Sequence, residues 1–144
     1  MKHGFRNNFW CSLAILFLGC AAYGSANPVI IMPSADEGSI TAYTNTEVQR
    51  VFLEHLKVTL EPSNKRDREH NLVVLGTVGN NRLIKRLVEK GFVKDIETPQ
   101  GYSIRCAPDS QNKDRWILAI LGADERGVLY GLRDLEHYYL KRFK

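Results

Sequence analysis

Beyond residue 26, four apolar runs alternate with three stretches of helical spacing. Asn27 to Pro33 (NPVIIMP) is a short apolar run between prolines and reads as a first strand. Residues 34–43 are polar and glycine-containing, a loop or weak strand. Thr44-Asn45-Thr46-Glu47 has the spacing of a capping box, in which Thr44 accepts from the Glu47 N–H and Glu47 reaches back. Val48, Val51, Phe52, His55, Leu56 and Leu60 then recur at helical intervals, so a helix is expected over 45–60, stopped by Pro62. Pro62 to Asn71 is charged and patternless, a solvated connection. Leu72 to Leu75 (LVVL) is continuously apolar and ends at Gly76, as a strand covered on both faces would.

Asn80 or Asn81 can cap a second helix with the stripe Leu83, Ile84, Leu87 and Val88, and Gly91 suits its C-terminal stop. Thr98 to Gly101 is a turn. Tyr102, Ile104 and Cys106 alternate with Ser103 and Arg105, the pattern of a half-exposed strand. Trp116 to Leu121 is its partner, so 101–121 reads as a hairpin around a polar turn at 108–113. Asp124 can cap the last helix. Val128, Leu129, Leu132, Leu135, Tyr139 and Leu140 form its buried stripe, and Lys141, Arg142 and Lys144 suit the negative end of its dipole. The order β, α, β, α, β, β, α predicts one α/β domain over 27–144, with about three helices on a small mixed β-sheet. The pattern leaves the strand order open.

The last helix carries Gly127 and Gly131 on one face. A glycine in a helix interior costs roughly 1 kcal/mol relative to alanine. The pair therefore implies that the helix backbone lies close against the sheet or another neighbour.

Residues 1–26 read separately, with Lys2 and Arg6 before an apolar Phe9–Leu18 and small residues to Gly24-Ser25-Ala26. This is the layout of a secretory signal peptide, and the apolar core is short for a membrane span. Phe17-Leu18-Gly19-Cys20 is an imperfect lipobox, an alternative route that would leave a lipid anchor on Cys20. A secreted chain, periplasmic or extracellular, is expected. Removing the leader takes two basic residues from a formal charge of +4. The remainder is nearly balanced, which argues against nucleic acid as a partner. Cys11 leaves with the leader, and Cys106 reads as a buried small apolar residue.

Sites for chemistry are sparse. Gly76-Thr77-Val78-Gly79 follows a strand but has neither GxGxxG nor GxxxxGK[ST], so it reads as a plain strand-to-helix turn. His55, His70 and His137 lack metal-ligand spacing, and His55 reads as a packed side chain. No cofactor or metal is expected. The basic cluster in 62–71 could touch an anionic sugar, against the blander reading of solvated charge. Asp124 and Glu125, adjacent at a strand end, could serve as a paired acid, and Leu121-Gly122-Ala123-Asp124-Glu125 looks like the Gly-Gly-Asp-Glu motif of β-N-acetylhexosaminidases. Those enzymes use a (β/α)8 barrel of about 250 residues, too large for this chain. Helix capping by Asp124, with Glu125 in the first turn, is favoured.

With that reading, Gly122-Ala123-Asp124-Glu125-Arg126-Gly127-Val128-Leu129-Tyr130-Gly131, followed by Leu132-Arg133-Asp134-Leu135, becomes the informative unit. It resembles the end of the N-terminal accessory domain of glycoside hydrolases such as bacterial β-N-acetylhexosaminidases and α-glucuronidases. Leu75-Gly76 and Gly101-Tyr102-Ser103-Ile104 fit the same pattern, and the resemblance runs over about residues 28–140. It implies a small sheet with helices on one face, packed against a catalytic barrel that carries the catalytic carboxylates. It places no catalytic residue on this sequence. The barrel is an expected partner, and the chain stops at Lys144, where it would begin.

The expectation is therefore a secreted, non-catalytic accessory domain tied to carbohydrate degradation. One rival is a free-standing carbohydrate-binding module, with Trp116, Tyr102 and Tyr138 as candidate stacking residues for a glycan. The other is a truncated glycosidase gene product, exposing Tyr138, Tyr139 and Phe143 where a barrel would sit.

Overall fold

A computed structural model describes residues 28–33, 35–63 and 69–143. The predicted leader, Cys20 and most of the basic cluster lie outside these, as does the Phe143 side chain. The elements are β1 (Val29–Ile31), α1 (Ile40–Leu56), β2 (Glu61–Pro62), β3 (Leu72–Gly76), α2 (Arg82–Glu89), β4 (Tyr102–Pro108), β5 (Trp116–Gly122) and α3 (Glu125–Asp134). A π-helical turn (Leu135–Tyr139) and a 3-10 turn (Leu140–Phe143) continue α3.

The five strands form one mixed sheet in the order β2-β1-β3-β5-β4. β1 pairs in parallel with β2 and β3, β3 pairs in parallel with β5, and only β4–β5 is antiparallel. The central strands β3 and β5 are buried on both faces, which is why their sequences are continuously apolar rather than alternating.

The two faces carry separate cores. Val48, Val51 and Phe52 of α1 and Val128 and Leu132 of α3 cover Val73, Leu75, Leu118 and Ile120. Leu83, Ile84 and Leu87 of α2 cover Leu72, Val74, Ile117 and Leu121 on the other side. Helices thus lie on both faces, correcting the one-faced arrangement that the resemblance implied. The cause is in the strands: a sheet whose inner residues are all apolar needs cover on both sides. Cys106 is buried in the first core, and burial pushes its thiol up to about 12, consistent with an apolar filler.

Three local expectations fail at α1. The helix begins at Ile40, inside the stretch read as loop or weak strand, because Ser39 is the cap and its Oγ accepts from Ala42 N at 3.1 Å. Thr44, the expected cap, is a buried helical residue whose hydroxyl donates to Ile40 O at 2.8 Å. The helix ends at Leu56 rather than 60, since Lys57 turns left-handed (φ 57). Pro62 stops nothing. It sits in the edge strand β2, where a missing N–H is tolerated.

The remaining turns follow the sequence closely. Asn81 caps α2, and Gly91 (φ 68) turns the chain after it. Val88 is only partly buried, as are Leu129 and Tyr139 of the last stripe. The hairpin turn at 108–113 hides an ion pair that polarity alone did not suggest: Arg115 and Asp109 are both buried and bonded to each other.

Candidate functional site

The corner between β5 and α3 holds the acidic pair. Asp124 Oδ1 accepts from Gly127 N and Oδ2 from Gln100 N, both at 2.8 Å. These backbone donors, Gly127 first, hold its carboxyl below the usual aspartate range. Asp124 is a helix cap and a tie to the 98–101 turn, and with its carboxyl held in the charged form it is poorly suited to giving up a proton. Glu125 is exposed in the first turn of α3. It borders a crevice at the C-terminal ends of β1 and β3, beside Asn45 and Asn80, with only about 10 Å³ of space. That is room for one water molecule and not for a sugar ring.

Both glycines sit at close approaches of the helix backbone, Gly131 against the sheet and Gly127 against the turn that precedes β4. A Cβ on Gly127 would collide with the Gly101 carbonyl oxygen. A Cβ on Gly131 would lie 2.9 Å from the Ile120 methyl and 3.2 Å from the Tyr102 ring. The Gly76–Gly79 turn satisfies itself, with Thr77 N donating to Asn80 Oδ1 at 2.7 Å and Asn80 N to Thr77 Oγ1 at 3.1 Å. Two of the N–H groups that a phosphate would need are thereby already taken.

The three aromatic candidates do not assemble. Tyr102 is half-buried, donates its hydroxyl to Asp134, and is pushed up to about 12 by burial and then by that carboxylate. Trp116 packs against the core at the opposite end of the hairpin, opposite Pro108, whereas Tyr102 lies opposite Gly122. Tyr138 is 51% exposed, and its ring meets that of His137 edge-on at 4.8 Å. No group of three or more metal-type ligands occurs among the described residues.

His55 is indeed packed, its side chain 2% exposed, with Nε2 at 2.9 Å from Glu136 Oε1. It belongs to a network that sequence reading missed. Arg50 clasps Glu47 through two nitrogens at 3.1 Å and reaches Glu136 at 3.4 Å. Arg133 bridges the same carboxylates from α3, at 2.9 Å to Glu47 and 3.2 Å to Glu136. The i,i+3 pairs were visible in sequence, but their meeting across α1 and α3 was not. The π-helical turn carries Glu136 into this position, and Leu135 and Leu140 are buried alongside.

Arg50 holds Glu47 below its usual range, assisted by the Arg133 charge and opposed by burial. Burial alone would raise Glu136, but the His55 and Arg133 hydrogen bonds and the Arg50 charge together lower it. Both carboxyls therefore titrate below the ordinary glutamate value in the folded chain. Their stabilisation is complete above that value and is lost as pH falls through the depressed folded values. Thermal melts taken from about pH 5 downward should show a falling midpoint, and Glu136→Gln should flatten that fall. A variant with an unchanged slope would show that Glu136 adds nothing to acid sensitivity.

The chain matches the family described as Glycosyl hydrolase family 67 N-terminus over residues 21–135. No curated protein gives a significant match. Among solved structures, a family GH115 4-O-methyl-α-glucuronidase with specificity for decorated arabinogalactans superposes with a TM-score of 0.52 and 22% identity, covering 78% of this chain and 13% of that one. A GH138 enzyme targeting pectin rhamnogalacturonan II superposes with a TM-score of 0.44 and 14% identity, covering 76% of this chain and 10% of the enzyme. The first of these likenesses supports the fold, and in each the chain spans a small part of a much longer enzyme. With the family match running through every strand and through the α3 helix with its paired glycines, the chain belongs to the glycosyl hydrolase family 67 N-terminus family.

Proposed function

We propose that this domain is a non-catalytic accessory module of a secreted glycosidase of α-glucuronidase type, serving carbohydrate degradation beside a catalytic barrel. The observation that supports it best is the fate of Asp124 and Glu125. The first is bound by two backbone N–H groups, and the second borders a space too small for substrate. The family membership and the 13% coverage of a long α-glucuronidase agree with a supporting part in a larger enzyme. Export through the leader at 1–26 is part of the same proposal, by simple cleavage after Ala26 or by lipidation of Cys20.

The test is turnover. The purified protein should leave aryl N-acetylglucosaminides and glucuronosides unhydrolysed over long incubations at high enzyme concentration. Hydrolysis of either, abolished by Glu125→Gln, would sink the accessory reading.

A further inference from the structure

On the α2 face of the sheet, the cover ends before the edge strand does. Ile104 and Cys106 of β4 face the α1–α3 core, so Arg105 and Ala107 face the α2 side. α2 packs over β3 and β5, leaving that side of β4 open. The result is a groove of about 260 Å³ between α2, the Gly91-Phe92 turn and the end of the hairpin.

Three cations line it: Arg86 from the last turn of α2, Lys90 at its C-terminal cap, and Arg105 from β4. The acidic side chain that lines it, Asp109, is already bonded to the buried Arg115. Arg86 and Lys90 stand at i,i+4, a like-charge spacing that disfavours the bare helix by roughly 0.2–0.5 kcal/mol. Neither forms an ion pair among the described residues. Arg105 is held in place: one N–H donates to Phe92 O at 2.6 Å, and its guanidinium carbon lies 5.0 Å from the Phe92 ring centre. An arginine has five N–H donors, so the rest of this fixed fork stays available to a ligand. Beneath the cations, Leu83, Leu87 and Ile117 give an apolar floor, and Ser110 adds a hydroxyl at the rim.

We infer that this groove binds a carboxylate-bearing sugar, a uronate residue of an acidic glycan. The cations match the carboxylate, with the Arg105 fork suited to bidentate contact. The floor matches the apolar face of a pyranose ring, and the volume fits one ring and not an extended chain. The choice of an anion stands on the groove alone. The choice of a sugar acid rests also on the carbohydrate context of the family. Binding here is separate from hydrolysis, so a silent groove would leave the accessory role intact, and detected hydrolysis would leave the groove intact.

Titrations followed by amide NMR would use sodium D-glucuronate, D-glucose and sodium sulfate against the purified protein at neutral pH. Glucuronate should bind in the millimolar range, shift amides within 83–92 and 105–110, and weaken as salt is raised. The exposed pair of changes Arg86→Gln and Lys90→Gln, and separately Arg105→Gln, should each weaken it at least about tenfold without moving the melting temperature of the double variant. No shifts with glucuronate, equal shifts with glucose or with sulfate, or unweakened binding in the variants would each overturn the assignment.

Discussion

Gly127→Ala should destabilise this domain severely, although it adds a single methyl group. In an exposed helix the same substitution would stabilise by about 1 kcal/mol, so the sign of the effect tests the packing. Here the new Cβ meets the Gly101 carbonyl oxygen, with the Gly101 carbonyl carbon at 3.2 Å and the Gln100 carbonyl carbon at 3.3 Å behind it. That backbone cannot retreat cheaply. Gly101 O accepts from Ala123 N at 2.9 Å, and Gln100 N is bonded to Asp124, the cap of the helix being pushed away. Overpacking against a fixed neighbour typically costs 1–3 kcal/mol, and the absence of any movable side chain places this case at about 3 kcal/mol. The melting temperature should drop by roughly 10 °C or more.

Gly131→Ala provides the graded control. Its nearest neighbours are the Ile120 methyl and the Tyr102 ring, side-chain atoms that can shift by a few tenths of an ångström. A loss of about 1 kcal/mol is expected there. If Gly127→Ala melts at or above the parent, the helix is not seated on the 98–101 turn as described. Equal losses at both glycines would mean that the sheet, and not the turn, sets the distance.

What the sequence disclosed followed the strength of local signals. LVVL at 72–75 and the apolar 116–121 run are buried strands because no other placement hides so many consecutive apolar residues. Asp124 and Asn81 cap helices because each is a short polar side chain one step ahead of an apolar stripe. The failure at Thr44 has an equally local cause. A threonine hydroxyl can satisfy Ile40 O inside a helix as readily as an N–H at its start, and only Ser39, further upstream, shows which occurs.

The features built from residues distant in sequence are of another kind. The Glu47–Arg50–Arg133–Glu136 network joins residues 86 apart in sequence, and the cationic groove joins the end of one helix to an edge strand. Charge at 86, 90 and 105 reads as solvated surface until the strand order is known, because β4, at the edge next to β5, extends beyond the cover of α2. Strand order was the one aspect of the architecture that hydrophobic pattern left open, so the groove was beyond its reach.

Asn81→Ala should be the other severe lesion, through hydrogen bonds rather than volume. Asn81 is 5% exposed and uses both ends of its amide. Its Oδ1 accepts from Leu83 N at 2.9 Å and Ile84 N at 3.3 Å, capping α2. Its Nδ2 donates to Leu75 O at 2.8 Å and Ile31 O at 3.3 Å, joining β3 and β1 where both strands end. Losing the cap costs about 1 kcal/mol. Withdrawing the amide donors from these two buried carbonyls adds about 1–3 kcal/mol. A total near 3 kcal/mol follows, readable as a lower denaturation midpoint with an unchanged slope. Asn81→Ser separates the two parts, since serine caps well but its short hydroxyl cannot also supply the amide's donors to the carbonyls. It should recover the capping share, about 1 kcal/mol, and leave the rest lost. Full recovery in Asn81→Ser would show that the strand carbonyls gain nothing from this side chain. A mild Asn81→Ala, below about 1 kcal/mol, would show that the cap itself is dispensable.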